Sequence, residues 1–575
     1  MPSHYNKYPT PAISLTEHSA SLPKADIPDN VDHATQAIKS LNVLTALSAD
    51  DLADNAIWRD SLALTGTLRT FLGAKLVARV WSDLCDKHKP RNFSVIHGSS
   101  RIARLDAETS WVEARFSFNT NGEWPARCSG VVGIIPISDG SWKIWLLSTI
   151  LEQPEGFPDV DRLTPNAVAN GSSVKPINTS ENDGRRDKED TSSYVDCLVV
   201  GAGIGGLCMA GRLKALKISY VVIEKHANVG DTWVLDRYES VKLHTSKSYS
   251  QMPGEPRTFG PEDPYNLSGQ HLARGFQRYV DTFSINVLTS TMLLAAVWDR
   301  TEQLWELSLR RDDKTFTMKA RHVVLAAGNN GIVPKMPSYP NRKRYQGDIV
   351  HGLHWKNAQP WKHKKGIVVG SANTAHDVIS DMAKADLEAI TMIQRRGSRT
   401  FLLPLSTFSA LVDPVFNEST PVDLSDRMLL SYPLAIQRLT AMAGIRAMAD
   451  TNPSYFDDIE AQGFNVERYG DLWGLMYDRE GGHFFDLGAG GLIANGRVKV
   501  RSDAEPVSYT ESGLAMSDGS VIDADVIVFA TGYTGNLKST ATKIFGEEIG
   551  HSLQEFWQCD IEGESRGAWK DTGRK

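Results

Sequence analysis

Residues 194–233 decide the fold and read Y-V-D-C-L-V-V-G-A-G-I-G-G-L-C-M-A-G-R-L-K-A-L-K-I-S-Y-V-V-I-E-K-H-A-N-V-G-D-T-W. The short apolar run at 197–200 is typical of a buried parallel strand. Glycines follow at once in G-x-G-x-x-G spacing, and residues 207–216 then have helical character. A second apolar run at 220–223 ends at Glu224. This order of strand, glycine turn, helix, strand and acid predicts a dinucleotide-binding unit.

Each glycine of this turn has its own task. Gly201 permits the tight turn, Gly203 lets the backbone approach a pyrophosphate, and Gly206 lets the helix pack closely on the strand. The helix N-terminus offers unpaired N–H groups and the positive end of its dipole to phosphates. Glu224 is placed to accept hydrogen bonds from ribose hydroxyls. The pattern leaves NAD and FAD both open as the ligand of this unit.

The composition is that of a soluble globular protein with several domains. The chain has 575 residues, 41% hydrophobic and 23% charged, and about 100–200 residues per domain predicts three or four domains. A net charge of -7 and a pI near 6.1 give no reason to expect a nucleic acid or an anionic membrane as partner. The 5 cysteines are scattered without a C-x-x-C, which indicates a cytoplasmic protein without a metal site. Neither a signal peptide nor a membrane span is expected.

The region before the glycine turn predicts a domain of its own. Residues 1–30 are polar and proline-bearing and are expected to form a flexible arm. Residues 31–160 predict an α+β domain, because helical spacing at 49–60 and 71–88 is followed by strands that alternate apolar and polar residues. Residues 161–193 carry almost no large apolar side chains and are predicted to be a polar linker.

A second nucleotide-binding unit begins at residue 366. An apolar strand at 366–369 leads into G-S-A-N-T-A-H-D at 370–377, a helix to about residue 385 and a strand at 389–394. The turn has the weakened fingerprint G-x-A-x-x-A, which starts at Gly370. Ala keeps the close packing, but its methyl group crowds a bound pyrophosphate.

Two arginines follow the second strand of this unit, Arg395 and Arg396, where the first unit has Glu224. An acid at this place favours a free ribose hydroxyl, whereas a guanidinium favours a 2′-phosphate. We therefore expect the first unit to bind a nucleotide without a 2′-phosphate and the second unit to prefer NADPH. A largely helical region at 408–482 then supplies core or substrate-cavity lining.

These segments together resemble the class B flavoprotein monooxygenases, specifically the flavin-containing monooxygenase family. The resemblance covers residues 194–575 and rests on motifs that occur in the family's order. They are G-A-G-I-G-G at 201–206, E-K-x-x-x-x-G-D-T-W at 224–233, Y-Q-G-D-I-V-H-G-L-H-W at 345–355, G-S-A-N-T-A-H-D at 370–377 and F-A-T-G-Y at 529–533.

Two further resemblances are looser. L-H-T at 243–245 and F-F-D-L-G at 484–488 are similar to a branch shared by fungal monooxygenases and plant indole-pyruvate monooxygenases. W-R-D at 58–60 and W-K-I-W at 142–145, with the helix–strand pattern, resemble the NTF2-like domain that many fungal members carry. A homodimer through this domain is one role that the resemblance suggests.

The resemblance implies an α/β fold with two Rossmann-like dinucleotide-binding domains, one for FAD and one for NADPH, after the NTF2-like α+β domain. The implied domains are 194–334 for the first part of the FAD-binding domain, 335–499 for the NADPH-binding domain with a helical insertion, and 500–575 for the second part of the FAD-binding domain. The implied FAD ligands are Gly201, Gly203, Gly206, Glu224 and Trp233, the implied NADPH ligands are Gly370, Asn373, Thr374, Arg395 and Arg396, and Leu243, His244 and Thr245 are implied beside the flavin.

The implied reaction is the insertion of one atom of O2 into a small organic substrate at nitrogen, sulfur or a carbonyl group. NADPH reduces FAD, and a flavin C4a-hydroperoxide then transfers the oxygen, so no catalytic residue beyond the flavin is expected. His351, within the 345–355 motif, is expected to link domains.

Departures from the family pattern leave two alternatives. Asp231 replaces a glycine of the G-G-x-W motif, and the chain ends at G-A-W-K-D-T-G-R-K, where members continue through a further strand and helix. A chain that is short at its C-terminus suggests a degenerate, non-catalytic flavoprotein. The other alternative is a Baeyer–Villiger-type enzyme, although R-Y-E-S at 237–240 stands where those enzymes have Tyr-Pro-Gly.

Overall fold

The computed structural model describes residues 12–165, 194–328, 333–555 and 557–567. Most of the predicted linker, the start of the predicted arm and the end of the chain, at 166–193, 1–11 and 568–575, lie outside the described residues. The described part is a mixed α/β fold built on several sheets. None of its helices is long and apolar enough to cross a membrane.

A seven-stranded sheet forms the N-terminal region. The elements of the N-terminal region are β1 (Ala12–Ile13), α1 (His33–Asn42), β2 (Leu52–Ser61), β3 (Leu68–Leu72), α2 (Ala74–His88), β4 (Arg91–Val95), β5 (Arg101–Asp106), β6 (Thr109–Thr120), β7 (Ala126–Pro136) and β8 (Trp142–Pro154). Strands β2 to β8 form the seven-stranded sheet, and β1 lies outside it. The strands run in the order β3-β2-β8-β7-β6-β4, with β5 paired to β6. Helices α1 and α2 cover one face, where the apolar side chains of both form a single core with the sheet.

The prediction of a helix at residues 49–60 was wrong, because this segment forms strand β2 between β3 and β8. Both faces of β2 are covered. Trp58 packs on Trp81 of α2, with ring centroids 5.0 Å apart, and Ile57 belongs to a cluster on the opposite face. A strand buried on both faces carries apolar residues at adjacent positions, and here their spacing imitates that of a helix.

The first nucleotide-binding unit follows the linker. Its elements are β9 (Tyr194–Val200), α3 (Ile204–Ala215), β10 (Tyr220–Ile223), α4 (Asp231–Val234), β11 (Lys242–Ser246), β12 (Asn266–Ser268), α5 (Gly269–Phe283), β13 (Val287–Leu288), β14 (Thr291–Asp299), β15 (Leu304–Arg311) and β16 (Lys314–Leu325). A six-stranded sheet has the order β13-β10-β9-β16-β15-β14. Strands β13, β10, β9 and β16 are parallel, so their C-terminal ends share one edge of the sheet.

The second unit contains a shorter parallel sheet and the helical region. Its elements are β17 (Val333–Pro334), β18 (Asp348–His351), β19 (Lys365–Val369), α6 (Asn373–Lys384), β20 (Ala389–Ile393), β21 (Thr400–Pro404), α7 (Leu405–Val412), α8 (Val422–Leu430), α9 (Leu434–Thr451), α10 (Pro453–Glu460), β22 (Val466–Glu467), α11 (Leu472–Tyr477), β23 (His483–Asp486), α12 (Ala489–Ala494) and β24 (Lys499–Arg501).

The last part of the chain contributes to both units. Its elements are β25 (Pro506–Tyr509), β26 (Gly513–Met516), β27 (Val521–Asp523), β28 (Val526–Phe529), β29 (Tyr533–Thr534), α13 (Leu537–Phe545), α14 (Glu547–Ser552) and β30 (Cys559–Asp560). The five-stranded sheet of the second unit has the order β18-β28-β19-β20-β24.

Residues 500–575 were assigned to the first unit, but strand β28 of this segment pairs within the sheet of the second unit. β28 lies between β18 and β19 and is parallel to both, with Val526 in register with Gly366. All four residues of β28 are buried, as expected for an inner strand of a parallel sheet. Helix α13 does reach the first unit, where it packs on β14.

The described part of the predicted flexible arm is also fixed in place. β1 pairs antiparallel with β30 near the end of the chain. Leu15 is fully buried in a cluster with Leu434 and Cys559, and Ile27 is fully buried in the core under α1 and α2. Isolated apolar side chains in a polar segment are enough to anchor it where they enter existing cores.

The end of the chain is held to the N-terminal sheet by buried ion pairs. The Arg59 guanidinium donates to Glu564 with an Nε–Oε1 distance of 2.7 Å, and their side chains are 7% and 0% exposed. Arg69 pairs with Glu562 in the same way at 2.5 Å. Thr70 Oγ1 also donates to Glu564, at 2.5 Å.

Breaking the Arg59–Glu564 pair should destabilise the N-terminal sheet. In Glu564→Gln the buried guanidinium loses its counter-ion, so we expect the free energy of unfolding to fall by about 3–5 kcal/mol. Urea denaturation followed by tryptophan fluorescence measures this loss. Glu306→Gln is the control, because its pair with Lys319 is exposed and long at 3.9 Å. Equal stability of the two variants would contradict the assignment.

Candidate functional site

The glycine turn between β9 and α3 has the geometry of a nucleotide cradle. Gly201 has a φ of +103°, and a Cβ there would lie 2.6 Å from the carbonyl oxygen of Ala326. A Cβ on Gly206 would lie 1.9 Å from the Gly201 oxygen, so helix and turn touch through backbone alone. Gly203 is different, since a Cβ there meets nothing within 4 Å. The open side of the turn therefore lies at Gly203, which caps the N-terminus of α3.

Glu224 lies directly after β10 and closes this turn from the side. Its Oε2 accepts a hydrogen bond from Ala202 N at 2.9 Å, and its Oε1 accepts one from His226 N at 3.0 Å. Each oxygen keeps a second lone pair for a ligand hydroxyl. The unexpected Asp231 begins α4, where its Oδ2 accepts from Asn228 N at 3.0 Å.

The turn of the second unit repeats this arrangement. Gly370 has a φ of +130°, and a Cβ there would lie 2.4 Å from the carbonyl oxygen of Ala530. Asn373 begins α6, and its Oδ1 accepts from Phe485 N at 3.1 Å, which ties the turn to β23. Arg395 and Arg396 are exposed after β20, and neither forms an ion pair with any residue that the structure describes.

A cavity of about 230 Å³ lies between the two units. Its walls come from the segment after α4, the start of β11, the turn after β18, helix α6 and β29. The lining residues are Trp233, Asp236, Arg237, Tyr238, Val241, Lys242, Leu243, His244, Gly352, Leu353, Thr374, Asp377 and Tyr533.

The cavity brings together four of the residues predicted from the sequence, namely Trp233, Leu243, His244 and Thr374. Thr245 does not line it, and its hydroxyl lies 3.2 Å from that of Ser250. The residues of the two glycine turns, Glu224 and the two arginines also lie outside its lining.

The sequence reasoning missed a hydrogen-bonded pair in this cavity. The Tyr238 hydroxyl donates to Asp377 Oδ2 at 2.5 Å. Burial, together with the charge of Asp381, raises the pKa of Asp377 to about 6, although the Tyr238 hydrogen bond opposes the shift. Asp377 ends the G-S-A-N-T-A-H-D motif and Tyr238 lies in R-Y-E-S at 237–240, but neither stretch indicates that the two residues meet across the cavity.

His244 is electrically neutral at physiological pH. Burial lowers its pKa to about 4, and nearby His483 adds to this effect. Its ring lies 5.6 Å from that of Phe485, centroid to centroid. A neutral imidazole can donate one hydrogen bond and accept another, but it holds no proton to give as a strong acid.

His351 joins the turn after β18 to the segment before β29. Its Nδ1 accepts from Leu353 N at 3.1 Å, and its Nε2 lies 3.1 Å from the Gly532 carbonyl oxygen. Because Nδ1 accepts, Nε2 carries the proton and donates. Both ring nitrogens of His351 therefore form hydrogen bonds to backbone groups, which links these two segments.

Comparison with known proteins agrees with this arrangement. A family model described as pyridine nucleotide-disulphide oxidoreductase matches residues 198–420, which contain both glycine turns. The probable FAD-binding monooxygenase AlmA of Acinetobacter baylyi is 25% identical over 384 residues, 64% of this chain and 74% of the relative. Indole-3-pyruvate monooxygenase YUCCA8 of Oryza sativa is 24% identical over 348 residues, 60% of this chain and 76% of the relative.

The matched family model and these relatives support a class B flavoprotein monooxygenase. The comparisons likewise support an oxidoreductase with FAD and NADPH as cofactors. Among solved structures, cyclohexanone monooxygenase from Rhodococcus sp. Phi1 bound to NADP+ is similar with a TM-score of 0.45 and 19% identity, covering 61% of this chain and 74% of that one. Steroid monooxygenase bound to NADP has a TM-score of 0.42 and 20% identity over 61% of this chain and 73% of that one.

The open side of the first turn gives a test of FAD binding. Gly203→Ala adds a methyl group where no protein atom lies within 4 Å, so the fold tolerates it, but the methyl occupies the ligand's side of the turn. We expect FAD affinity to fall about tenfold, or about 1.4 kcal/mol, with an unchanged melting temperature of the apoprotein. Flavin fluorescence titration measures the affinity. Gly491→Ala, on α12 of the second unit, is the matched control, since its Cβ also meets nothing within 4 Å. Equal FAD affinity in the two variants would remove Gly203 from the site.

The half-buried Asp377 should give the stability of the protein a characteristic dependence on pH. Its pKa in the folded state is about 6, above its ordinary value of 3.8, so the folded protein holds an extra proton between these values. Wild type therefore loses stability relative to Asp377→Asn as the pH rises through this window, by up to about 3 kcal/mol. Urea denaturation at pH 4 and pH 7 measures the difference. The exposed Asp299 has a lowered pKa, so Asp299→Asn should show the opposite sign. A pH-independent difference for Asp377→Asn would contradict the raised pKa.

Proposed function

We propose that this protein is an NADPH-dependent FAD monooxygenase that inserts one atom of O2 into a small organic substrate at nitrogen, sulfur or a carbonyl group. The observation that carries the proposal is the cavity between the two nucleotide-binding units, lined by Trp233 and His244 from one unit and Thr374 from the other. A site between two dinucleotide units is where a hydride donor and a flavin can both reach a substrate.

The first unit fits FAD. The free side of the turn at Gly203, the N-terminus of α3 and the spare lone pairs of Glu224 suit a pyrophosphate and a ribose without a 2′-phosphate. Exposed apolar residues near the turn and the cavity, Ile204, Val234 and Leu235, suit the flat ring of a flavin. Bound FAD supplies the hydride acceptor and the oxygen chemistry of the reaction.

The second unit fits NADPH. Arg395 and Arg396 follow β20, as a 2′-phosphate requires, and both guanidiniums are exposed and without ion pairs among the described residues. Asn373 keeps its amide N–H groups for a ligand, because only its Oδ1 is used by the Phe485 backbone. Thr374 extends this unit to the cavity wall.

The residues of the cavity position the substrate and exclude water. Trp233, Leu243 and Leu353 give an apolar wall, which shields reactive species from solvent. Neutral His244 can donate or accept a hydrogen bond, and the Tyr238 oxygen can accept one, because its proton is donated to Asp377. Arg237 and Lys242 have no ion pair with a described residue, so they favour a substrate with negative charge. The name of the YUCCA8 relative, an indole-3-pyruvate monooxygenase, supports the carbonyl option.

We further propose that residues 31–160 form an NTF2-like domain, which a seven-stranded sheet with α1 and α2 on one face supports. Residues 194–334 then form the first part of the FAD-binding domain, and residues 335–534 form the NADPH-binding domain, because β28 belongs to its sheet. A homodimer through the NTF2-like domain and a cytoplasmic location stay predictions from the sequence.

The visible absorption spectrum of the purified protein tests the proposed function. FAD is added first, and NADPH then follows in air. We expect flavin bands that bleach with NADPH and recover with oxygen, and an oxygenated product when indole-3-pyruvate, a thioether or a tertiary amine is supplied. A protein that binds no flavin even with excess FAD is not a monooxygenase by itself.

The two arginines after β20 should determine the choice of nicotinamide cofactor. In Arg395→Gln/Arg396→Gln the 2′-phosphate loses its charge-assisted hydrogen bonds, so we expect the KM for NADPH to rise about 10- to 100-fold while the KM for NADH stays constant. Steady-state NADPH and NADH oxidation measures both values. Arg321→Gln, an exposed arginine of the first unit, is the control. A parallel rise of both KM values would show that the arginines act on the fold instead.

A further inference from the structure

A second cavity, of about 720 Å³, lies between the N-terminal sheet and helix α8. Strands β6, β7 and β8 form one wall, the segment 159–162 closes one side, and residues 421–427 form the opposite wall. This volume lies within the range of about 300–1,000 Å³ that small-molecule sites occupy. The cavity is separate from the one between the nucleotide-binding units, because the two share no lining residue.

The opposite face of the same sheet is filled by aromatic rings. Phe93 stacks on Phe118 at 5.2 Å, and Trp81 lies 5.0 Å from Trp58, measured between ring centroids. These rings belong to the packed core under α1 and α2. The open volume of the N-terminal region is thus on the face that looks toward α8, where the domain meets the rest of the protein.

Most charges in the α8 cavity are already paired. Arg427 donates to Glu152 at 2.7 Å and to Asp161 at 2.8 Å. Asp159 lies 3.9 Å from Arg127 and 3.6 Å from Arg162. The acids of the cavity are therefore engaged by these arginines.

One cation in the cavity has no counter-ion. The guanidinium of Arg115, on β6, forms no hydrogen bond or ion pair with any residue in the described ranges, although the residue is half-buried. A guanidinium has five N–H donors and binds carboxylates and related oxyanions through two parallel hydrogen bonds. Arg115 therefore favours an anionic group in the cavity.

A second group in the wall is also unsatisfied. Gln153 is 6% exposed, and its Nε2 donates to Phe157 O at 2.7 Å and to Pro158 O at 2.6 Å, which fixes the orientation of the amide. Its Oε1 is buried without a hydrogen-bond partner among the described residues. A buried acceptor without a donor is costly, so a ligand hydroxyl or a water that enters with the ligand would stabilise this wall.

The apolar side chains of Ile96, Val131, Ile150 and Leu424 also line the cavity. We propose that the α8 cavity binds a small amphipathic organic acid, whose anionic head pairs with Arg115 and whose apolar body packs on these side chains. The ligand then bridges the N-terminal domain and α8. This site is independent of the cofactors and of the proposed oxygenation reaction.

Isothermal titration of the full-length protein with octanoate tests this site. We expect one octanoate to bind per chain. Arg115→Gln should weaken binding tenfold or more, because the head group loses its charge-assisted hydrogen bonds, and Ser117→Trp should abolish it by filling the cavity. The neutral analogue 1-octanol should bind wild type at least tenfold more weakly than octanoate does.

Arg79→Gln is the matched control, because Arg79 is exposed on α2 at the other face of the same sheet. It removes the same charge and should leave octanoate affinity unchanged. Circular dichroism verifies the fold of each variant. If Arg115→Gln does not fold, octanoate binding to Ser117→Trp tests the site instead. The proposal is overturned if wild type does not bind octanoate, or if wild type, Arg115→Gln and Ser117→Trp bind it equally.

Discussion

The candidate active site depends on the contact between residues 235–241 of the first unit and helix α6 of the second. Tyr238 and Ser240 donate to Asp377 and Asp381, at 2.5 Å and 2.7 Å. The two acids are four residues apart, so they lie on the same face of α6 and receive two hydroxyls from one short turn. Glu239 N adds a backbone hydrogen bond to Lys356 O at 2.9 Å. Cofactor residues of both units can share one cavity because this contact sets their distance.

This contact costs folding free energy, because it takes the carboxyl groups of Asp377 and Asp381 partly out of water. Burial raises the pKa of both Asp377 and Asp381, and hydroxyl and indole donors only partly offset the cost. Trp355 Nε1 also donates to Asp381, at 3.1 Å. Polar contacts of this kind are more specific in geometry than apolar packing, which suits two units that must hold a fixed orientation. The N-terminal sheet is joined to the catalytic part by the same means, through Arg59 and Arg427.

Elements that are determined by consecutive residues could be predicted from the sequence. Contacts between segments far apart in the chain could not. The two glycine turns were found because strand, turn, helix and acid follow one another within one short segment. The position of β28 was missed, since its apolar run could join either sheet, and the register with β18 and β19 links residues far apart in the chain. The Tyr238–Asp377 pair was missed for the same reason, being separated by 139 residues. Strand β2 was mistaken for a helix because burial on both faces removes the alternation that marks a strand.

Helix α8 is linked by ion pairs to the N-terminal sheet and to the segment that leads to the first unit. Arg427 on its last turn binds Glu152 of the N-terminal sheet and Asp161 in the segment that leads to the first unit. Asp161 in turn accepts from Arg212 of α3, at 2.5 Å, and α3 is the helix whose N-terminus forms the first glycine turn. The N-terminal sheet, α8 and the first nucleotide-binding helix therefore share one chain of ion pairs. Because the acids are shared between arginines, a displacement of α8 would change the partners available to α3, so the N-terminal domain is mechanically part of the nucleotide-binding framework.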